Sequence, residues 1–240
     1  MEKRRDFIKK MVITTAGIAA GSKVFATSAK SYRNIIGANE RLYVAVIGVN
    51  GRGGSMAGTF AKQKDTRVDY LCDVDSRTFA KALKSVADAG QADAPHTEGD
   101  CRKIMGNKHI DAIYIATPDH WHAPLAIMGC QANKHVYVEK PLSHNPNEGE
   151  LAITAARKYN KIVQMGAQRR SDPILMQGME QLHKGIIGRV YFAKAWYTNN
   201  RQSIGVGKKI PVPATLNWEL WQGPGLCMNA PGTLNSSAIG

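Results

Sequence analysis

The sequence predicts an α/β protein built on a doubly wound parallel sheet with helices on both faces. Apolar runs such as "LYVAVIGV" and "DAIYIATP" are continuous and rich in β-branched residues, as in strands buried on both faces. Helical stretches separate these runs, which is the alternation that a parallel sheet requires. The predicted strands are residues 42–49, 67–75, 111–118, 135–139 and 161–168. The predicted helices are residues 54–63, 76–90, 123–133 and 146–160, and residues 91–99 are predicted to form a polar loop.

The pattern changes after Gln168, which indicates a second domain. Residues 173–185 are predicted to be helical, and residues 188–198 alternate like a half-exposed strand of a more open sheet. A stretch rich in Gly and Pro follows, and the residues after 224 show no periodicity. We therefore predict an N-terminal domain over 40–165, an incomplete C-terminal α/β open-sheet domain over 166–224, and an aberrant or disordered tail over 225–240.

Residues 1–33 have the features of an export signal. A basic segment precedes an apolar, small-residue stretch that is too short and too weakly apolar to span a bilayer. The segment from Arg4-Arg5 to Lys9 resembles the twin-arginine signal, which exports proteins that are already folded. The alternative is an ordinary basic amphipathic helix. We predict export by the twin-arginine translocation machinery to the periplasm or cell envelope.

Net charge and cysteine content exclude several classes of function. The formal charge is +13, of which the first 33 residues contribute +6. The remaining excess is interspersed with acids and forms no basic stripe with aromatics, so we predict no nucleic-acid binding. The four cysteines are scattered without paired spacing, which gives no support for a disulfide framework or a zinc site.

A glycine-rich turn follows the first predicted strand. Gly48, Asn50 and Gly53 stand at the spacing of the dinucleotide fingerprint GxGxxG. This spacing gives a tight turn, close approach to a pyrophosphate, and amides at the start of a helix that bind it. The motif alone is also compatible with a plain turn. Gly48, Asn50, Gly51, Arg52 and Gly53 are candidate cofactor-binding residues.

The second predicted strand ends in acids, a little over 20 residues after the first glycine. A carboxylate at this place accepts hydrogen bonds from ribose hydroxyls and repels a 2′-phosphate. Asp73 is the first candidate for this role, whereas Asp75 could be a helix N-cap instead. The acids therefore favour NAD over NADP.

The segment "ATPDHWHAP" follows the third of these strands. Ligands of such sheets lie beyond the carboxyl ends of the strands, so Thr117, Pro118 and His122 are placed to line the nicotinamide side. A purely structural histidine at a helix start remains an alternative. His120 and His122 could also suggest a metal, but no third ligand follows at a useful spacing, so we predict no metal site.

The segment "VYVEKP" carries the candidate catalytic residue. Lys140 directly follows a strand and would point into the same crevice. Beside a positively charged nicotinamide, and partly desolvated, a lysine releases its proton more readily and can act as a general acid or base. The alternative is a surface lysine paired with Glu139.

Together, "AVIGVNGRGG", "CDVD", "ATPDHWHAP", "VEKPLS", "GAQRR" and "NWELWQGP" resemble the glucose–fructose oxidoreductase, inositol dehydrogenase and rhizopine-catabolism (Gfo/Idh/MocA) family over residues 41–224. The resemblance implies a Rossmann domain, a C-terminal open-sheet domain and NAD(P)-dependent redox chemistry on sugars, cyclitols or related polyols. It implies that Lys140 is the catalytic lysine, that Glu139 is its cofactor-side neighbour, and that Gln168 and Arg169 lie near the substrate. It also implies a homo-oligomer.

This sequence departs from the family pattern in two ways. Asn50 occupies the middle glycine position, which affects how closely the backbone approaches the pyrophosphate. The family's second domain normally continues beyond "LWQGP" and supplies an Asp/His pair near the substrate, so we expect a truncated or frame-shifted chain.

We expect an exported oxidoreductase that carries its NAD tightly bound, because the cell envelope offers little free NAD. Two alternatives remain open: an NAD-dependent, redox-neutral glycosidase, and a non-catalytic nucleotide- or sugar-binding remnant.

Overall fold

The computed structural model describes residues 41–196, 198, 202–203, 205–206, 209–223 and 233–235. The predicted signal segment lies outside the described residues, as does most of the predicted tail. Among the described residues, no helix is both long and apolar enough to cross a membrane.

A six-stranded parallel sheet forms the centre of the structure. Its strands are β1 (Leu42–Ile47), β2 (Thr66–Cys72), β3 (His96–Glu98), β4 (Ala112–Ile115), β5 (His135–Glu139) and β6 (Val163–Gly166). Their order is β3-β2-β1-β4-β5-β6. The order reverses direction at β1, so the loops after β1 and β4 leave a crevice at the carboxyl edge where such sheets bind dinucleotides.

Helices cover both faces of this sheet. Five helices contribute to its two core clusters: α1 (Arg52–Ala61), α2 (Phe79–Asp88), α3 (Cys101–Met105), α4 (His122–Gln131) and α5 (Pro146–Lys158). The described residues also contain α6 (Pro173–His183) and α7 (Trp218–Gln222). Local chemistry sets their starts. For example, the Asn145 side chain accepts a hydrogen bond from the Glu148 amide, and Pro146 begins α5. Two short antiparallel strands, β7 (Lys209–Pro211) and β8 (Thr233–Asn235), pair outside the main sheet.

The strands are apolar on both sides because both faces of the sheet are buried. Val44 and Val46 pack in one cluster with residues of α1, α2 and β2, while Ala45 and Ile47 pack in the other with residues of α3, α4 and α5. These four residues are at most 3% exposed. A fully buried aliphatic side chain contributes roughly 1.5–3 kcal/mol, so the continuous apolar runs account for much of the fold's stability.

The five predicted strands of the first domain are all present, with ends shifted by a few residues. The prediction of a loop over residues 91–99 was wrong, because β3 lies inside it and α3 follows directly. β3 has only three residues and is a strand because it pairs with β2. No local sequence pattern reveals this pairing.

The prediction of a strand over residues 188–198 was also wrong, since the structure shows no strand over residues 188–196. A strand needs a neighbour to pair its backbone groups, and none lies beside this segment in the described part of the chain. Its apolar side chains are correspondingly uncovered: Tyr191 is 92% exposed and Phe192 is 72% exposed.

A buried lysine supports the sheet at its amino-terminal edge. Lys134 is 1% exposed, and its Nζ donates to the carbonyl oxygens of Asn107 at 2.6 Å and Ile110 at 3.0 Å. Burial lowers the pKa of Lys134. The ammonium group therefore ties the turn before β4 to the start of β5.

Replacing Lys134 with Met should lower the free energy of unfolding by about 1–3 kcal/mol, because a buried carbonyl oxygen and a partly buried one lose their donor. Lys81 is exposed on α2, so Lys81→Met is a matched control that should change stability by less than about 0.5 kcal/mol. Urea unfolding of both variants measures the difference. Equal midpoints would contradict a supporting role for Lys134.

Candidate functional site

The glycine-rich turn between β1 and α1 is shaped by two steric requirements. Gly48 has φ +81°, and a Cβ there would lie 2.6 Å from the carbonyl oxygen of Ala116. A Cβ on Gly53 would lie 1.7 Å from the carbonyl oxygen of Gly48. Both positions therefore need glycine, the first for its turn and the second for close packing of α1 on β1.

The start of α1 is available to an anion. Its N-cap residue is Gly51, which has no side chain to cap the amides of the first turn. No acidic residue lies in that turn. The first amides of a ten-residue helix and its dipole together favour a negative group. This end of α1 can therefore hold a pyrophosphate.

Asp73 fixes the turn from the end of β2. One carboxylate oxygen accepts from the amide of Val49 at 2.7 Å and the other from the amide of Asp75 at 3.0 Å. Burial raises the pKa of Asp73, and the two amide bonds oppose that effect. An ionised carboxylate has about four acceptor positions, so capacity remains for ribose hydroxyls.

Asp75 has the capping role that the sequence left open. Its side chain accepts from the Arg77 amide at the start of a 3₁₀ turn, Ser76–Thr78, and pairs with the Arg77 guanidinium at 2.5 Å. The hydrogen bond from Arg77 lowers the pKa of Asp75. Asp100 similarly pairs with Arg102 at 2.6 Å. Both nearby arginines thus have a carboxylate partner.

A cleft of about 880 Å³ opens at the carboxyl ends of β1, β2 and β4. Its size suits a cofactor or drug-sized ligand. The candidate residues that line it are Gly48, Asn50, Gly51, Asp73, Thr117 and Pro118. The candidates outside its lining are Arg52, Gly53, His122, Glu139, Lys140, Gln168 and Arg169.

Glu139 lies at the centre of a buried polar network. It is 5% exposed, and it accepts hydrogen bonds from the Arg52 Nε at 3.1 Å and from the Tyr114 hydroxyl. The hydrogen bond to Glu139 raises the pKa of Arg52, while burial and the same carboxylate raise the pKa of Tyr114. Arg52 therefore connects the start of α1 to the end of β5, and Glu139 pairs with Arg52 rather than with Lys140.

His122 connects the loop after β4 to the loop after β5. Its Nδ1 lies 2.5 Å from the carbonyl oxygen of Pro141, and its Nε2 lies 2.9 Å from that of Thr117. A carbonyl oxygen only accepts, so a neutral ring satisfies one contact and an imidazolium ring satisfies both. The ring is 1% exposed, and this geometry favours the structural alternative for His122.

Lys140 is exposed directly after β5 and is followed by a cis bond to Pro141. The predicted desolvation of Lys140 is therefore not seen in the described residues. Gln168 and Arg169 are also exposed, in a turn after β6, the strand beside β5. The three side chains share the carboxyl edge of the sheet, and Arg169 lies 3.7 Å from Asp172.

The sequence did not reveal the residues that complete the cleft. Trp121 comes from the β4 loop, Gly99 and Arg102 come from the β3–α3 region, and Leu216 and Trp218 come from a segment far along the chain. The one available signal was "NWELWQGP", in which Asn217 caps α7 by accepting from the Leu220 amide. That signal predicts a short helix but not its position.

Among the described residues, no cluster of three or more metal-ligating side chains is present. His120 and His122 do not converge. The Nε2 of His120 contacts the carbonyl oxygen of Trp221 at 2.8 Å, while both nitrogens of His122 face carbonyl oxygens.

The fold and site define a Rossmann-type, dinucleotide-binding domain. The family model described as "Oxidoreductase family, NAD-binding Rossmann fold" matches residues 42–167, slightly more than half of the chain. The chain therefore belongs to the Gfo/Idh/MocA oxidoreductase family.

Individual relatives agree with this assignment. A glycosyl hydrolase family 109 protein of Saccharopolyspora erythraea is 29% identical over 171 residues, which are 70% of this chain and 37% of that protein. The chain thus spans less than half the length of the curated relatives it matches.

Solved structures show the same fold. The myo-inositol 2-dehydrogenase of Lactobacillus plantarum has a TM-score of 0.57 at 24% identity, over 62% of this chain and 43% of that one. An NAD binding oxidoreductase of Klebsiella pneumoniae has a TM-score of 0.51 at 25% identity, over 62% and 40%.

Two glycines of the turn provide a matched test of its geometry. Gly53→Ala should destabilise the protein by about 2–3 kcal/mol, because the new Cβ overlaps the Gly48 carbonyl. A Cβ on Gly51 meets nothing within 4 Å, so Gly51→Ala should cost less than about 0.5 kcal/mol. Denaturant unfolding without added nucleotide measures both, and equal losses would contradict the packing argument.

Proposed function

We propose that this protein is an NAD(P)-dependent oxidoreductase acting on a sugar, cyclitol or related polyol. The observation that carries the proposal is the position of Lys140. It is an exposed base directly after β5, at the edge of the sheet that holds the dinucleotide cleft. A substrate hydroxyl beside the nicotinamide end of that cleft would be within reach of its amine.

The residues of the cleft fit a dinucleotide. The first amides of α1 would bind the pyrophosphate, and Asp73 would accept from ribose hydroxyls. The Thr117 hydroxyl supports the fit, because it is buried in the cleft wall without a hydrogen-bond partner among the described residues. When bound, the nicotinamide would accept a hydride from the substrate carbon or return one to it.

Lys140 would manage the proton that accompanies this transfer. Its Nζ would take the proton of the hydroxyl during oxidation and give it back during reduction. His122 would keep this lysine in place, since it binds the carbonyl group of the next residue, Pro141. Gln168 and Arg169, after the adjacent strand, are proposed to bind further hydroxyls of the substrate.

The charges around Asp73 support NAD rather than NADP. A 2′-phosphate needs a free cation, but Arg77 and Arg102 are already paired with Asp75 and Asp100. Asp73 itself would repel the phosphate. We therefore propose NAD as the cofactor.

We also propose that the protein leaves the cytoplasm folded, through the twin-arginine machinery, with NAD already bound. The support is the Arg4-Arg5 signal pattern and the scarcity of free NAD in the cell envelope. A homo-oligomer is proposed from the family resemblance.

Replacing Lys140 with Met should lower turnover by about 100-fold or more, because the proton acceptor is lost, while NAD affinity changes by less than about 2-fold. Lys81→Met is the control and should leave both unchanged. Nicotinamide absorbance with a panel of inositols and free hexoses measures turnover, and titration calorimetry measures NAD binding. Full turnover in the Lys140 variant would contradict the proposed role. Parent protein that binds NAD without any turnover would favour a non-catalytic remnant.

Protein purified from the periplasmic fraction should contain NAD, and little NADP, after acid release. Adding a substrate alone should then change the nicotinamide fluorescence. Protein that arrives free of nucleotide, or that works only with added NAD, would contradict tight binding, and a predominance of NADP would contradict the role given to Asp73.

A second candidate function is redox-neutral cleavage of a glycoside, in which the sugar is oxidised, loses its aglycone by elimination, adds a water molecule at the same carbon and is reduced again. The glycosyl hydrolase family 109 relative supports it. Lys140 would serve the oxidation and reduction steps in the same way. Product analysis on a glycoside distinguishes the two functions, because a released aglycone with an unoxidised sugar indicates cleavage, whereas a lactone or ketone indicates net oxidation.

A further inference from the structure

Residues 215–223, here called the strap, cross the mouth of the cleft and bind both of its rims. On the β2 side, the carbonyl oxygen of Thr215 accepts from the Ser76 amide at 3.0 Å, and the Asn217 amide donates to Val74 at 2.9 Å. Leu216 forms a bridge with Asp75 between these bonds. The strap is therefore fixed to the loop that also carries the ribose-side acids.

On the β4 side, two side chains hold the strap. The Trp121 Nε1 donates to the carbonyl oxygens of Leu220 and Trp221 at 3.0 and 3.1 Å, and the His120 Nε2 contacts the latter at 2.8 Å. The strap ends at Gly223, where a Cβ would lie 2.4 Å from the Trp121 ring. His120 and Trp121 thus act on the strap rather than on a metal.

The cleft that the strap crosses suits a neutral, hydroxyl-bearing ligand group. Its lining includes the carboxylates of Asp73, Asp75 and Asp100, the guanidinium of Arg102, which is paired with Asp100, and the apolar side chains of Leu125 and Met128. Carboxylates accept from hydroxyls and amines and repel phosphates, and the apolar side chains can cover a flat ring. An adenosine group has these properties.

One donor in this region lacks an acceptor. The Trp218 Nε1 is buried without a hydrogen-bond partner in the described part of the chain, and Trp218 lines the cleft. Stacking on Trp221, with ring centroids 4.7 Å apart, and the Asn217 cap hold the indole in place. A buried, unpaired N–H is costly, so an acceptor in the cleft would be favoured there.

We propose that the strap closes over the adenosine half of the cofactor and that the Trp218 indole N–H binds that half. This inference rests on the proposed function and extends it, because it assigns a cofactor-binding residue to a segment outside the Rossmann domain. The acceptor is a ribose oxygen or a ring nitrogen of the adenine.

Trp218→Phe tests the donor, because it removes the N–H and retains an aromatic ring for stacking. Trp196→Phe is the matched control, since Trp196 is 72% exposed and does not line the cleft. Titration calorimetry with NAD and with ADP-ribose, which lacks the nicotinamide, gives the affinities. Thermal unfolding without ligand checks that each variant is folded.

The Trp218 variant should bind both ligands roughly 3- to 10-fold more weakly than the parent, and the Trp196 variant should match the parent. An equal loss for NAD and ADP-ribose locates the contact in the half that the two ligands share. Parent-like affinity of a folded Trp218 variant would overturn the inference and leave the proposed function intact. A loss for NAD but not for ADP-ribose would also overturn it. A parent that binds neither ligand would overturn both.

His120→Phe tests the strap separately, because it removes the contact with the Trp221 carbonyl and leaves an aromatic ring in place. Stopped-flow displacement of bound NAD should show release several-fold faster than in the parent. Unchanged release from this folded variant would contradict closure by the strap.

Discussion

The bonds that Asp73 makes to the amides of Val49 and Asp75 organise the whole binding region. They fix the glycine-rich turn to the end of β2, and they set the start of the loop that pairs with the strap. Burial raises the pKa of Asp73, so its charge is held there against a desolvation cost. The amide bonds offset part of that cost, and the same carboxylate keeps acceptor positions for a ligand.

The region around Lys140 is organised by side-chain links between neighbouring loops and α1 rather than by a closed pocket. Glu139 joins the end of β5 to α1 through Arg52, and His122 joins the β4 loop to the residue after Lys140. Glu139 and His122 are buried, whereas Arg52 and Lys140 are exposed. The backbone on either side of the exposed lysine is therefore held in place by these two links.

Most of the sheet could be predicted from the sequence, because strands such as β1 and β4 are buried on both faces and have continuous apolar runs. β3 could not, since three polar residues become a strand only by pairing with β2. In the site, the glycine-rich turn and Asp73 carry local signals and were predicted. The contact of His120 with Trp221 and the bridge of Leu216 with Asp75 each join residues more than about a hundred positions apart, which no local pattern encodes.

The asparagine in the middle of the fingerprint shows which glycines the turn needs. Gly48 needs a positive φ and Gly53 needs to approach a carbonyl oxygen, so neither tolerates a side chain. Asn50 is exposed, and its φ angle is not positive. A Cβ on Gly51 would have free space around it. The steric requirement therefore falls on the first and last glycines. The middle position therefore tolerates a side chain, and that of Asn50 lines the cleft.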